Sequence, residues 1–165
     1  AGNLEIALVP KDTYPFSILL ETLDKLSNAQ QAISFYRRQG LVAYWVKVDL
    51  GTLGIKYRLF TGFFANEAAA KVFSINNRLP GKPLKHTPYG SRIGIFNDQA
   101  ELAGVFAKTA QTGVTPYIIG SKNGPLFLYV GAFYTLDGAE NQCRELVDQG
   151  LPCQAVPRST LPPQN

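Results

Sequence analysis

From residue 16 onward, apolar and polar positions alternate in short runs, separated by stretches with helical spacing. Phe16, Ile18 and Leu20 alternate with Ser17, Leu19 and Glu21, a two-residue period that predicts a strand. Ser27-Asn28 offers an N-cap to a helix carrying Ala29, Ala32, Ile33 and Tyr36, and Gly40 ends it. Val42, Tyr44, Val46 and Val48 then alternate with Ala43, Trp45, Lys47 and Asp49. Beyond the turn Gly51-Thr52-Leu53-Gly54, the residues Ile55, Tyr57, Leu59 and Thr61 alternate with Lys56, Arg58 and Phe60, so the two runs predict a hairpin. The Ala-rich stretch 66–77 predicts a second helix. Leu84–Thr87, bracketed by Pro83 and Pro88, predicts a short edge strand.

The same pattern then recurs. Gly62-Phe63-Phe64 has a counterpart in Gly131-Ala132-Phe133, an offset of 69 that also carries Ala70 onto Ala139, Gly81 onto Gly150 and Pro88 onto Pro157. Earlier in the unit, Gly40 and Tyr44 match Gly113 and Tyr117 at an offset of 73. The four-residue difference falls between two strand-like runs, where a shorter turn is tolerated. The second copy predicts a strand at 92–96, a helix at 98–111, a hairpin of 114–121 and 125–131, a helix at 136–148 and a strand at 152–156. A repeat this long is a small domain in itself.

The order β-α-β-β-α-β predicts an α+β fold of two tandem ferredoxin-like domains. Each would be an antiparallel four-stranded sheet with two helices on one face. The boundaries are expected at 1–89 and 90–157, with a flexible tail at 158–165. The uncovered face of the first sheet is expected to carry Ser17, Leu19, Glu21, Trp45, Lys47, Lys56, Arg58 and Phe60. The second copy would present Arg92, Phe96, Ile118, Phe127 and Tyr129. Rings and cations on an open sheet suit a binding platform. Two aromatic faces that pack against each other or a partner are the alternative.

Composition narrows the class. The 165 residues are 45% apolar and 17% charged, as in a globular chain. No apolar run reaches the roughly 18–20 residues of a membrane span. The start Ala1-Gly2-Asn3 has no basic signal region, and no Met occurs anywhere, so the chain is expected to be part of a longer protein that would carry any membrane anchor. Residues 1–89 hold eleven Lys and Arg against six Asp and Glu; residues 90–165 hold five against six. Attraction for an anion therefore belongs mainly to the first copy. Cys143 and Cys153 lack the spacing of a zinc or redox motif, which leaves two small buried residues or one short-range disulfide.

Catalysis, metals and cofactors are not expected. The single histidine, His86, sits in the proline-bracketed strand, and its repeat equivalent is Ala155. Glu21 and Asp49 read as solvated acids, and Gly51–Gly54 joins strands without the helix and Lys-Ser/Thr of a phosphate loop. The order is also that of RNA-recognition modules, but both third strands lack the Gly-bearing aromatic run, so nucleic acid is not an expected partner.

The stretch Gly54-Ile55-Lys56-Tyr57-Arg58-Leu59-Phe60-Thr61-Gly62-Phe63-Phe64 resembles the aromatic-Tyr-Arg-Val-x-Val-Gly-x-Phe strand of the sporulation-related repeat (SPOR) domain. Asn28-Ala29 and Gly40-Leu41-Val42-Ala43-Tyr44 fit the same pattern, and the second copy fits it through Gly113–Tyr117 and Val130–Phe133. Leu19-Leu20-Glu21-Thr22-Leu23 stands where the family often has Gln-x-Gly-Ser-Phe, and Leu126-Phe127 stands where the first copy has Tyr57-Arg58. The resemblance implies a non-catalytic module of the bacterial periplasm or cell envelope. Its partner would be peptidoglycan, with a preference for peptide-stripped glycan strands, and envelope or division proteins are further partners that the resemblance allows. The implied ligand-binding residues are Arg58, Lys56, Trp45 and Lys47, together with Phe60, Leu19 and Asn28. Arg58 would pair with a lactyl carboxylate, and the rings would stack on sugar faces.

Overall fold

The computed structural model describes residues 4–161. In chain order the elements are β1 (Ile6–Val9), β2 (Phe16–Leu23), α1 (Leu26–Arg38), β3 (Ala43–Asp49), β4 (Ile55–Phe64), α2 (Glu67–Asn76) and β5 (Leu84–His86). They continue with β6 (Tyr89–Phe96), α3 (Gln99–Ala110), β7 (Pro116–Ser121), β8 (Leu126–Phe133), α4 (Leu136–Asp148) and β9 (Gln154–Pro157). Two compact units result. One is Pro15–Thr87; the other joins the described residues of Ala1–Tyr14 to those of Pro88–Asn165.

In the Pro15–Thr87 unit the sheet order is β3-β4-β2-β5, and every pair is antiparallel. The helices cover one face through Ala29, Ile33, Tyr36 and Ala70, which pack on Ile18, Leu20, Ala43 and Leu59. Among the described residues, three of the four α-helices start on a side-chain cap. Asn66 accepts from Ala69 N–H at 2.8 Å, Asp98 from Ala100 N–H, and Thr135 from Gly138 N–H. In α1 the expected cap Ser27-Asn28 is already inside the helix, and Lys25 holds the N-cap position without a side-chain bond.

The repeat survives in three dimensions. Tyr44 Oη donates to Gly62 O at 2.7 Å, and its counterpart Tyr117 Oη donates to Gly131 O at 2.6 Å. Both glycines sit at positive φ, +78° and +73°. A Cβ on either would fall within 2.6 Å of a ring atom of the phenylalanine two residues on, Phe64 or Phe133. The Gly-x-Phe signature of each copy is therefore a backbone requirement.

The expected pair of four-stranded antiparallel ferredoxin-like domains is corrected. The second sheet has five strands, in the order β1-β7-β8-β6-β9, and it is mixed because β1 runs parallel to β7. No element is predicted before Phe16, because Ile6–Val9 is four residues long and alternates weakly. It becomes a strand only because β7 offers a row of backbone partners, Ile6 facing Ile118 and Val9 facing Ser121. The N-terminal segment thus belongs with the second copy, and Pro15–Thr87 is inserted between its pieces. Tyr14 N–H donates to Arg158 O, and Arg158 N–H to Pro88 O, both at 2.8 Å, which ties the two pieces of the outer unit to each other.

The expected loose tail is also corrected over its described part. Arg158 and Thr160 are fully buried. Thr160 N–H donates to Asp12 O at 3.0 Å, and Tyr129 Oη donates to Ser159 O at 2.9 Å. Polar residues of a tail give no hydrophobic period, so these tertiary bonds leave no pattern in the sequence. Residues 162–165 lie outside the described residues.

Candidate functional site

The site is built on β4. Its antiparallel register with β3 places Tyr44 opposite Phe60, Val46 opposite Arg58 and Val48 opposite Lys56. These six side chains share the face away from the helices. On β2, Leu19 faces Phe60 and Thr22 faces Arg58 on that same side. Four of the expected residues, Arg58, Lys56, Phe60 and Leu19, therefore come together.

Three do not. Trp45 faces Leu59 and Lys47 faces Tyr57, the parity of the helix-covered side. Trp45 packs on the helix-side core, its ring 5.7 Å from that of Tyr57 in an edge-on arrangement. Lys47 is exposed beyond it. Asn28 is exposed in the first turn of α1. Glu21 also leaves the expected face. A bulge between Leu19 and Glu21 shifts the β2 register, so that Glu21 faces Leu59 and accepts a hydrogen bond from the Tyr36 hydroxyl of α1. Burial, followed by that bond and the carboxylate charge, pushes the Tyr36 hydroxyl up to about 12.

The face is not an open aromatic platform. Phe60 and Tyr44 are each 1% exposed, with ring centroids 6.2 Å apart, and Val46 is 2% exposed. Arg58, Lys56 and Leu19 are half-buried, so the accessible part of the face is its cationic end. Lys56 forms an ion pair with Asp24, at the turn after β2. The Lys56 hydrogen bond, then its charge, holds the Asp24 carboxyl below the usual range. That end of the sheet sets Arg58 and Lys56 side by side on one face, where an anion can meet both cations, and Lys56 is also shared with Asp24.

The second copy differs. Ile118 and Phe96, expected on the far face, belong to the helix-side core with Leu128 and Val130. Phe127 and Tyr129 do lie on the far side, opposite Ile119 and Tyr117, and are 1% and 0% exposed. Arg92 donates to Gln154 Oε1 at 2.8 Å. Cys143 and Cys153 form a disulfide that joins α4 to the approach to β9, with Cα atoms 5.1 Å apart. Sequence reasoning left this pairing open and missed the buried Arg158. Among the described residues there is no group of three or more His, Cys, Asp or Glu placed to hold a metal ion.

No family model, no curated protein and no solved structure matches this chain.

Proposed function

We propose that this chain is a non-catalytic binding module of the bacterial cell envelope that holds acidic glycan strands of peptidoglycan, peptide-stripped strands above all. The observation that carries the reading is the shared orientation of Arg58 and Lys56 on β4, away from the helices and beside Thr22. Guanidinium matches a carboxylate with two parallel N–H donors, and the threonine hydroxyl can bond a sugar hydroxyl. The resemblance of residues 54–64 to the SPOR strand supports the same assignment. The Cys143–Cys153 disulfide supports an oxidising compartment such as the periplasm. Recognition in this form rests on charge, because Trp45 and Phe60 offer no open ring.

Retention on peptide-stripped sacculi tests the reading. Arg58→Ala is expected to lower retention about tenfold or more, since a hydrogen bond to a charged group is worth about 1.5–3 kcal/mol. Lys56→Ala is expected to cost less, because an ammonium cannot match a carboxylate with two parallel N–H donors. Undiminished retention of the Arg58 variant removes the assignment.

A second reading, a protein-interaction module, is favoured by the β3–β4 hairpin. Its tip exposes Leu50, Leu53 and Ile55, with Leu53 71% exposed. The equivalent tip in the second copy is the polar Ser121-Lys122-Asn123-Gly124-Pro125. Absence of any sacculus binding, together with a defined partner lost on Leu53→Ser, selects this reading.

A further inference from the structure

A groove of about 310 Å³ lies between α2 and the approach to β5 in the Pro15–Thr87 unit. Ile18, Ala70, Ile75 and Leu84 form its apolar part, and Lys71, Lys82 and Glu67 supply its charges. Its origin lies in how the helix packs: α2 rests on β2 and β4.

The other copy shows what the same place looks like when closed. There α4 packs directly on β9, and the Cys143–Cys153 disulfide ties the two together. Cys143 is the eighth residue of α4, as Ser74 is the eighth of α2, and Ser74 lines the groove. Cys153 stands two residues before Ala155, the partner of Ser91; Lys82 stands two residues before Leu84, the partner of Ile18. The strand pairing sets this match: Ile18 also faces Thr61 and Ser91 also faces Val130, so Leu84 and Ala155 hold equivalent places in the sheets although 71 residues apart, and the last strand of the second copy is shifted by two residues from the offset of 69 that made Ala155 the counterpart of His86. One copy therefore seals this place with sulfur, and the other leaves it open with a serine and a lysine. Moreover, α2 has 10 residues against 13 in α4, which shortens the wall that would cover the groove.

The charges are arranged for an anion. Lys82 Nζ donates to Leu20 O at 2.9 Å, which holds the ammonium at the groove and leaves two further N–H donors. Lys71 stands on the same helix four residues after Glu67, and among the described residues neither lysine is in an ion pair. Two ammonium groups against one carboxylate give the groove a net positive charge. Its position in the second copy carries Glu140 in place of Lys71.

From this we infer that the groove is a binding site for a small organic monoanion, a carboxylate with an aliphatic body. The carboxylate meets Lys71 and Lys82, and the chain lies on Ile18, Ala70 and Leu84. The volume is at the lower limit of small-molecule sites and suits a ligand of this size. This site is separate from the β4 face, so either can fail without the other.

Octanoate is the probe, titrated into the full chain while Ile18, Ile75 and Leu84 methyl resonances are followed by NMR. Saturable shifts are expected at roughly millimolar octanoate, as suits a ligand of this size. Octan-1-ol and octylammonium at equal concentration are expected to give none that saturate. Lys71→Met, an exposed substitution, is expected to weaken binding several-fold, and Lys71→Met/Lys82→Met about tenfold or more. Because Lys82 also bonds backbone, circular dichroism of the double variant is compared with wild type, and the single variant decides if it has unfolded. No saturable shift with octanoate, equal binding of octan-1-ol, or unchanged affinity in Lys71→Met overturns the assignment.

Discussion

Reducing the Cys143–Cys153 bond tests how the second copy is held together. Cys143 is 7% exposed on the core side of α4, and the bond fixes that helix to the strand edge. The sequence separation is 10 residues. Closing a loop of that size removes about 9 cal/mol/K from the unfolded chain, or about 2.7 kcal/mol at 25 °C. Each 1.4 kcal/mol is a factor of ten in the opening equilibrium, so amide protection should fall roughly a hundredfold. The assay is native-state hydrogen exchange of the α4 and β9 amides, with and without reductant, and with Cys143→Ala/Cys153→Ala as a thiol-free control. The control adds a cavity cost from the trimmed Cys143 side chain and should lose at least as much protection. Protection changed by less than threefold on reduction would refute the reasoning. It would mean that α4 is held by Ala139 and Leu146, both buried in the core, with no gain from the cross-link.

Three further outcomes follow from particular contacts. Gly62→Ala is expected to destabilise by about 2 kcal/mol or more, since φ is +78° and the added Cβ would meet the Phe64 ring at 2.3 Å; the urea midpoint reports it. Tyr36→Phe should flatten the alkaline limb of stability. The folded hydroxyl titrates near 12 against 10.0 when free, so the unfolded chain loses its proton first and stability falls as pH rises from 10 toward 12; an unaltered limb in the variant places the cause elsewhere. A chain starting at Pro10 lacks β1 and uncovers the β7 edge, so it should self-associate in light scattering, whereas a persistent monomer would show that the edge needs no cover.

Much of the secondary structure is legible in the residues alone. Alternating runs mark β2, β3 and β4, and helical spacing locates the four helices, because periodicity is a local effect of neighbouring residues; the one cap offered by the sequence, Ser27-Asn28, falls inside α1, and the caps Asn66, Asp98 and Thr135 emerge only in the fold. The duplication is legible too, and the Gly62 and Gly131 pair shows why: a positive φ beside an aromatic ring strongly favours glycine. Which side of β3 faces the helices is not legible. Ala43 and Trp45 on one side, and Tyr44 and Val46 on the other, are all apolar, so alternation is clear while its sign is undetermined, and one step of parity moves Trp45 from a ligand platform into a core. The β2 bulge then moves Glu21 across. The parallel β1, the buried Arg158 and the disulfide are decided only in the folded molecule, since each joins residues through contacts that no local period encodes.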